Sequence, residues 1–258
     1  MSIVIHQNDK IFIVPYGRLY MKLQKLLSYV RRAVEDYQMI EEGDNIAVGV
    51  SGGKDSICLL LALKNLQRFY PKHFELQAIT VSLGLPHTNY DDIQSFCNKI
   101  GVPYTVVHTD IGQIIFDERK EKNPCSLCAK MRKGALNDMA EQLNCNKVAL
   151  GHNKDDVTET FIMSLFYEGR IHCFSPVSFL DRKQIYSIRP LIYVPESDIK
   201  SFIQKSNISI VKNACLADGN TKRQETKELL YHLSKNYNQL QQKIFGAIQR
   251  SDIKGWKN

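Results

Sequence analysis

The feature that most constrains the fold is a glycine turn placed between an apolar segment and a leucine-rich one. Residues 45–50 form a short apolar run, residues 51–56 read Ser-Gly-Gly-Lys-Asp-Ser, and residues 56–69 are rich in leucine. The first run predicts a buried strand and the last predicts a helix. Two glycines allow a tight turn and a close approach to an anion, which the free N–H groups at a helix start attract. The sequence therefore predicts a phosphate-binding turn.

This turn differs from other glycine-rich phosphate loops. Lys54 is followed by Asp55 rather than by Ser or Thr, and the first glycine of a Walker A loop is missing. Hydroxyl groups of Ser51 and Ser56 would add donors to the backbone amides. An ordinary strand-to-helix turn is the alternative interpretation of these residues.

Strands and helices alternate along the chain, which predicts an α/β fold. Further strands are predicted at 74–81, 103–108 and 147–150, and helices at 19–40, 90–100, 126–143 and 155–167. Such βαβ units build a parallel sheet, for which we expect five strands with helices on both faces. Ligands bind such sheets at the carboxyl ends of the strands. The loops after Val50, Val81, His108 and Leu150 are therefore the expected site of chemistry.

The two ends of the chain depart from this pattern. A hairpin is predicted at 3–6 and 10–14, mixed extended structure at 171–190, and helices at 195–204 and 221–249 with a break near 234–238. We expect an N-terminal hairpin and helix (1–42), a central α/β domain (43–169) and a helical C-terminal subregion (170–258).

A second strand-end motif lies at 149–156, where Gly151 permits a turn and His152 could contact a nucleotide. Asp155 and Asp156 follow at a helix start. Paired carboxylates in this position either cap the helix or bind Mg²⁺ through oxygen. Both interpretations stay open from the residues alone.

Seven cysteines in a chain without secretion signals argue against a disulfide framework. Four of them lie in apolar context and are predicted to pack in the core: Cys58, Cys97, Cys145 and Cys173. Cys125 and Cys128 open a basic helix, where the helix dipole stabilises thiolates. This pair fits a zinc half-site, a redox pair or iron–sulfur ligands. Cys215 is the best third thiolate, and three thiolates suit a cluster with one open iron.

Composition and charge limit the class of protein. With 43% hydrophobic and 24% charged residues the chain is typical of soluble globular proteins. No apolar run is long enough for a membrane span, and the first ten residues lack a signal-peptide core, so a cytoplasmic location is expected. The net charge of +7 is concentrated in residues 201–258. That suits a polyanion such as RNA, or simply solvates the surface.

The motifs together resemble a known family. The turn S-G-G-x-D-S is similar to the signature of the PP-loop ATP pyrophosphatases, of the adenine-nucleotide α-hydrolase fold type. G-H-x-x-D-D-x-x-E-T at 151–160, P-C-S-L-C at 124–128, Ile188–Leu191 (I-R-P-L) and N-T-K-R-Q at 220–224 resemble the TtcA family, the tRNA 2-thiocytidine synthetases, and their 2-thiouridine relatives. The likeness runs from about residue 23 to 230. Lys212 stands where the family usually has another cysteine before Cys215.

The resemblance implies roles for residues at matching positions. ATP and its phosphates would be bound by Val50, Ser51, Gly52, Gly53, Lys54, Asp55, Ser56, Thr80, Val81, Gly151, His152, Asp156 and Arg189. Mg²⁺ would be held by Asp55, Asp155 and Asp156, and a 4Fe-4S cluster, whose open iron carries sulfide, by Cys125, Cys128 and Cys215. The expected catalytic residues are Asp55, Cys128 and Cys215.

The implied activity is ATP-dependent thiolation of tRNA. Adenylation of a pyrimidine carbonyl, most simply a cytidine in the anticodon loop, would create a good leaving group that sulfur replaces. The expected partners are tRNA and a sulfur donor such as a cysteine desulfurase, with the chain as a homodimer. The alternatives are a PP-loop enzyme with a zinc or redox cysteine site acting on another nucleoside or a small molecule, including sulfur removal, and a non-catalytic nucleotide- or RNA-binding protein.

Overall fold

A computed structural model describes residues 18–85, 88–119, 124–206 and 221–256, with side chains from residue 23 onward. The predicted N-terminal hairpin and the predicted cluster ligand Cys215 lie outside these residues. The domain boundaries at 42 and 169 stay a prediction. Within the described residues, no helix has the length and apolar character needed to cross a membrane.

The centre of the molecule is a single mixed sheet. Its strands are β1 (Asp44–Gly49), β2 (Phe74–Val81), β3 (Tyr104–Val107), β4 (Lys147–Ala149), β5 (Val177–Leu180) and β6 (Ile185–Ile188), in the order β3-β2-β1-β4-β6-β5. Five strands are parallel, as predicted. The sixth, β5, pairs antiparallel with β6. An antiparallel strand needs only a short turn, whereas a parallel one needs a crossover, so the short 171–190 segment supplies both β6 and the edge strand β5.

Nine helices surround this sheet in the described residues. They are α1 (Arg18–Asp36), α2 (Lys54–Leu66), α3 (Asp91–Ile100), α4 (Ile111–Gln113), α5 (Pro124–Gln142), α6 (Lys154–Glu168), α7 (Glu196–Lys205), α8 (Lys222–Ser234) and α9 (Leu240–Arg250). The predicted interruption near 234–238 is confirmed by the gap between α8 and α9.

The short helix α4, which continues as a π-helical turn (Ile114–Glu118), was not predicted. Its start is fixed by a tertiary contact, because the Gly112 amide donates to the Leu83 carbonyl over 2.7 Å. A Cβ at Gly112 would lie 2.7 Å from that same oxygen. The hydrophobic periodicity of the sequence cannot predict a contact between residues so far apart in the chain.

Helices cover both faces of the sheet, as the parallel topology requires. On β1 the side chains alternate, so that Ile46 and Val48 join the large core under α1, α2 and α7, while Ala47 joins a second cluster under α5. The leucine run of α2 is buried throughout because the sheet, α1 and α7 enclose it. The four cysteines predicted to pack in the core are all buried. This layered core fixes the carboxyl ends of the strands, where the site lies.

Candidate functional site

The turn after β1 is closed by its own serines. The Ser51 amide donates to Ser56 Oγ over 3.1 Å, and Ser56 Oγ donates to the Gly53 carbonyl over 2.9 Å. Gly52 has φ of +82°, a conformation that side-chain-bearing residues rarely adopt. The predicted strand–turn–helix arrangement is therefore confirmed, and Gly52 is required for its conformation.

The start of α2 carries no side-chain cap. Gly53 occupies the N-cap position in an extended conformation, with φ −74° and ψ 160°, and supplies no capping oxygen. The first amides of a helix have no partner within the helix itself. In the described part of the chain, the N–H groups of residues 54–56 therefore remain for a bound anion, whose negative charge the helix dipole also favours.

Lys54 is tied to carboxylates rather than extended into solvent. Its Nζ lies 2.7 Å from Asp55 Oδ2 and 3.0 Å from Glu196 Oε1. Burial lowers the pKa of Lys54, but hydrogen bonds to Asp55 and Glu196 outweigh burial and raise the pKa overall. Lys54 is therefore a cation held beside the turn.

Glu196 connects the turn to two helices. Besides Lys54, its carboxylate accepts hydrogen bonds from Lys200 over 3.0 Å and from Lys227 over 2.7 Å. Burial opposes ionisation of Glu196, yet the hydrogen bonds from these three lysines lower its pKa to about 2. The start of α7 thus carries a fixed negative charge against α2 and α8.

The loop after β4 packs directly on the turn. A Cβ at Gly151 would lie 3.2 Å from the backbone of Asp55 and Ser56, so a larger residue would require the turn to shift by a few tenths of an ångström. Asn153 then donates from Nδ2 to Asp55 Oδ1 over 3.1 Å. The two strand-end motifs predicted from the sequence therefore lie against each other.

The paired carboxylates at the start of α6 serve as caps in the structure. Asn153 and Asp156 form a reciprocal capping box, with the Asn153 amide 2.9 Å from Asp156 Oδ2. Asp155 Oδ2 accepts the Glu196 amide over 2.7 Å and so caps α7. Asp156 also pairs with Arg223 at 2.7 Å.

Magnesium ligation by Asp55, Asp155 and Asp156 stays a prediction. Within the described residues no three His, Cys, Asp or Glu side chains are grouped so that they could hold a metal. Mg²⁺ is commonly bound by one or two carboxylates together with substrate phosphates. That smaller requirement fits Asp55, which lies next to the uncapped amides of α2.

Glu159 is buried behind this acidic helix start, with a side chain only 4% exposed. Burial raises its pKa to about 7, and the negative charge of Asp156 adds to the effect. Its nearest cation is Arg223, at 3.8 Å. Glu159 therefore titrates near neutral pH.

Arg189 and His152 both lie close to one aromatic ring, that of Phe174. The Arg189 guanidinium is 5.0 Å from the centre of the Phe174 ring, and the His152 ring is 4.8 Å from it. Burial, followed by the charges of Arg189, Arg223 and Lys133, lowers the pKa of His152 to about 3. His152 is therefore neutral at physiological pH. Arg189 is only 6% exposed, so it is a buried residue.

The residues predicted near the adenosine end β2. Thr80 is buried, and its hydroxyl donates to the Val50 carbonyl over 2.5 Å while accepting from the Tyr104 hydroxyl over 2.9 Å. Val81 pairs with Val107 at the end of the sheet. The Thr80 side chain thus holds the start of the phosphate turn, and contact with a nucleoside stays a prediction for both residues.

Cys125 and Cys128 lie in the first two turns of α5, the former exposed and the latter half-buried. α5 leads back to the start of β4 at the opposite edge of the sheet, so its own first turn points towards the edge that carries the phosphate turn. The predicted pair is therefore on the expected side of the sheet. Ligation of a cluster by Cys125, Cys128 and Cys215 stays a prediction.

Three tyrosines of the C-terminal subregion, where aromatic rings could stack on RNA bases, differ in their exposure. Tyr193 is buried and donates to Asp36, so it is a core residue. Tyr231 and Tyr237 are 62% and 59% exposed. These two remain available at the surface formed by α8 and the turn after it.

Several site residues were not predicted from the sequence. Asn153, Glu196 and Arg223 join the two motifs to α7 and α8. Asn153 before two aspartates was detectable as a helix cap. The roles of Glu196 and Arg223 depend on contacts with residues distant in sequence, for which no local pattern exists.

Comparison with known proteins gives consistent results. The PP-loop domain family matches residues 22–232. A tRNA-cytidine(32) 2-sulfurtransferase of Teredinibacter turnerae is 38% identical over 90% of this chain and 78% of the relative. The same enzyme of Syntrophotalea carbinolica is 36% identical over 90% and 89% of the respective chains.

Among solved structures, a U34-tRNA thiolase from Methanococcus maripaludis, described with its 4Fe-4S cluster, aligns with a TM-score of 0.72. It is 24% identical and covers 89% of this chain and 78% of its own. This likeness shows a shared fold. With the family match, the sequence relatives and the geometry of the strand-end turns, the chain belongs to the PP-loop family and, within it, to the family of the tRNA-cytidine(32) 2-sulfurtransferases.

Proposed function

We propose that this protein is an ATP-dependent tRNA sulfurtransferase that converts a cytidine of the anticodon loop to 2-thiocytidine. The observation that carries the proposal is the contact of Gly151 with the backbone of Asp55 and Ser56. It unites the uncapped start of α2 with the capped start of α6 in one site. The relatives that share these motifs are tRNA-cytidine(32) 2-sulfurtransferases.

The turn provides for the first half of the reaction. The 2-carbonyl oxygen of the cytidine attacks the α-phosphorus of ATP, the bond to the β-phosphate oxygen breaks, and pyrophosphate leaves. Amides at the start of α2, together with Lys54, would stabilise the negative charge that develops on the pyrophosphate. Asp55, held by Asn153 and Lys54, would bind Mg²⁺ together with the phosphates.

In the second half, sulfur bonds to carbon 2 of the base and the C–O bond to AMP breaks. Adenylation makes this exchange feasible, because AMP is a far better leaving group than oxide. The step is redox-neutral when the sulfur attacks as hydrosulfide, which loses its proton as AMP leaves. A donor such as a cysteine desulfurase would supply the sulfur as a persulfide, which two thiol equivalents would first reduce to hydrosulfide. The contribution of this donor and a homodimeric state both stay predictions.

The cysteines present fit an iron–sulfur centre in part. The exposed Cys125 and the half-buried Cys128 lie one helical turn apart at a helix N-terminus, where the dipole favours thiolates. With Cys215 as third ligand, a 4Fe-4S cluster would keep one iron open to carry sulfide. Cys128, nearer to the interior, is the ligand we expect to matter most.

The test is reconstitution under anaerobic conditions with ATP, Mg²⁺, unmodified tRNA and a sulfide source. We expect pyrophosphate release that depends on tRNA, and 2-thiocytidine in the nucleoside digest by mass spectrometry. Cys128→Ser should form no 2-thiocytidine and lose absorbance near 400 nm, since two thiolates hold a cluster poorly.

Cys97→Ala is the matched control, because Cys97 is buried on α3, away from the site. It should retain both absorbance and product. Release of pyrophosphate without any thiolated nucleoside would contradict sulfur transfer but leave adenylation standing. Wild-type protein that binds no ATP would contradict the whole proposal.

A further inference from the structure

The carboxylate of Glu196 joins lysines from three helices. Its Oε1 lies 3.0 Å from Nζ of Lys54, the first residue of α2. Its Oε2 lies 3.0 Å from Nζ of Lys200 on α7 and 2.7 Å from Nζ of Lys227 on α8. Only 12% of the side chain is exposed. Both oxygens are engaged, so the carboxylate cannot turn away from Lys54 without losing a partner.

The position of Glu196 is fixed independently of the phosphate turn. It is the first residue of α7, and its amide donates to Asp155 Oδ2 over 2.7 Å. Pro195 at the N-cap offers no side-chain cap, so this carboxylate from α6 completes the helix start. Lys200 and Lys227 hold the other end of the residue, at the side chain. Glu196 is thus an anchor held by α6, α7 and α8.

Lys54 connects this anchor to Asp55. Its Nζ donates to Asp55 Oδ2 over 2.7 Å, while Asn153 donates to Oδ1 over 3.1 Å. Each oxygen of the Asp55 carboxylate therefore has one donor. An ion pair between two partly exposed side chains orders a lysine only weakly, because the lysine has many rotamers to lose. Glu196, as a second and more buried acceptor, limits Lys54 to the position in which it also reaches Asp55.

The charge of Glu196 does not make the surroundings of the turn unfavourable for an anion. Three ammonium groups surround this one carboxylate, so the group as a whole is positive. Burial alone would favour the neutral acid, but hydrogen bonds from the three lysines outweigh burial and lower the pKa of Glu196 to about 2. The carboxylate is therefore ionised at neutral pH, and it gathers cations beside the phosphate turn.

We propose that Glu196 is a positioning residue for the phosphate turn, which through Lys54 holds Asp55 in the orientation that receives ATP. This inference rests on the proposed function, in which ATP is split at this turn. Glu196 makes no contact with ATP in this role. It reduces the cost of ordering the turn when ATP binds. Once ATP is bound, its phosphates hold the same side chains, and the release of pyrophosphate no longer depends on Glu196.

The experiment measures ATP binding by isothermal titration calorimetry, with Mg²⁺ and the full, anaerobically purified protein. Glu196→Gln retains the shape of the side chain and loses its charge. We expect the Kd for ATP to rise about 10-fold, with the stoichiometry of the wild type. The rate of tRNA-dependent pyrophosphate release at saturating ATP should stay within about twofold. A reduced stoichiometry at an unchanged Kd would overturn the proposal, because loss of folded protein alone gives that result.

A double-mutant cycle with Lys54→Met tests whether the effect depends on Lys54. In the Lys54→Met background, Glu196→Gln should change the Kd for ATP by less than about twofold. An equal rise in both backgrounds would overturn the proposal, since Glu196 would then act through other contacts. A lower Kd in Glu196→Gln alone would also overturn it, because the carboxylate would then hold Lys54 away from the phosphates.

Glu225→Gln is the matched control, because Glu225 also pairs with a lysine, Lys222 at 3.1 Å, but lies on the exposed surface of α8. It should leave the Kd for ATP unchanged. Glu196→Asp keeps the charge but withdraws it from Lys54 by one methylene. It replaces Glu196→Gln if that variant does not fold, and the same rise in Kd is expected. Wild-type protein that binds ATP without releasing pyrophosphate would contradict the proposed function, and the calorimetric cycle would still test the role of Glu196.

Discussion

The helices α2 and α6 start side by side at the same edge of the sheet, and their N-termini are completed in different ways. At α2 the N-cap is Gly53, which offers no side-chain oxygen. At α6 the N-cap is Asn153, whose side chain accepts two backbone amides in a capping box. The first turn of α6 is also acidic, and its Asp155 reaches across to cap α7.

The two helix starts therefore have different roles in one site: the start of α2 is suited to bind an anion, and the start of α6 stabilises the fold. A helix start without a cap costs stability but leaves donors for an anionic ligand. A capped, acidic start repels anions and stabilises the fold. The sequence motifs look alike, since each is a glycine turn between strand and helix, yet only α2 is suited to phosphate. α6 positions Asp55 through Asn153 instead.

The largest effect is expected when α2 is given the cap that α6 has. The extended backbone of Gly53 accepts any residue, and its nearest neighbour to a new Cβ is Ser51 Oγ, at 3.4 Å. Gly53→Asp should therefore leave stability within a few tenths of a kcal/mol. Its carboxylate would occupy the amides and repel the triphosphate, so the Kd for ATP should rise by about 100-fold or more.

Calorimetric titration with ATP, together with thermal unfolding, checks this expectation. Gly53→Asn is the matched control, because it provides the same cap without the charge and should weaken ATP binding less. Full ATP affinity in Gly53→Asp would show that the amides of α2 do not bind phosphate. The missing cap at α2 would then have no role in ligand binding.

The acidic character of α6 also predicts a pH dependence. The pKa of Glu159 is raised from 4.5 to about 7 in the folded protein, first by burial and then by Asp156. Because the folded state binds this proton more tightly, its contribution to stability is complete below pH 4.5. The contribution is lost as pH rises through about 7. Glu159→Gln lacks this loss and should be more stable than wild type by about 3 kcal/mol at pH 8, with little difference at pH 4.

Urea unfolding at pH 4, 6 and 8 measures this difference. Glu228→Gln, an exposed glutamate on α8, is the control and should show no such trend. A Glu159→Gln variant that is less stable than wild type at pH 8 would mean that Arg223 compensates the buried charge. The repulsion among the carboxylates in the first turns of α6 would then cost the folded state little free energy.

The fold class and the backbone of the two strand-end turns could be predicted from the sequence, because the residues that define them are close together in the chain. The strand–turn–helix at 45–69 and the motif at 149–160 each contain, within a few residues, the apolar run, the glycine and the polar helix start that define them. The sixth strand and the helical turn at 111–118 were missed because pairing and tertiary contacts produce them.

Side-chain roles were predicted less well, for a related reason. Asp155 and Asp156 could be read as caps or as metal ligands, and the choice depends on partners as distant as Glu196 and Arg223. The burial of Arg189 could not be predicted, because its hydrogen-bond partner, the Ser175 carbonyl, lies 14 residues away in the chain. A sequence pattern predicts which residues are neighbours along one helix or strand. The roles of these charged side chains depend instead on partners from other elements at the same edge of the sheet.

The smallest effect concerns the cap of α6 itself. Asn153→Ala removes both capping bonds and should lower the free energy of unfolding by about 1 kcal/mol. It also removes the hydrogen bond from Nδ2 to Asp55, so the affinity for ATP with Mg²⁺ should fall as well.

Thr221→Ala, which removes one cap bond of 3.3 Å from the start of α8, is the matched control. It should cost less stability and leave ATP binding unchanged, because α8 does not contact the phosphate turn through its cap. If Asn153→Ala lost stability without any change in ATP affinity, α6 would be only a structural neighbour of α2. The positioning of Asp55 would then rest on Lys54 alone.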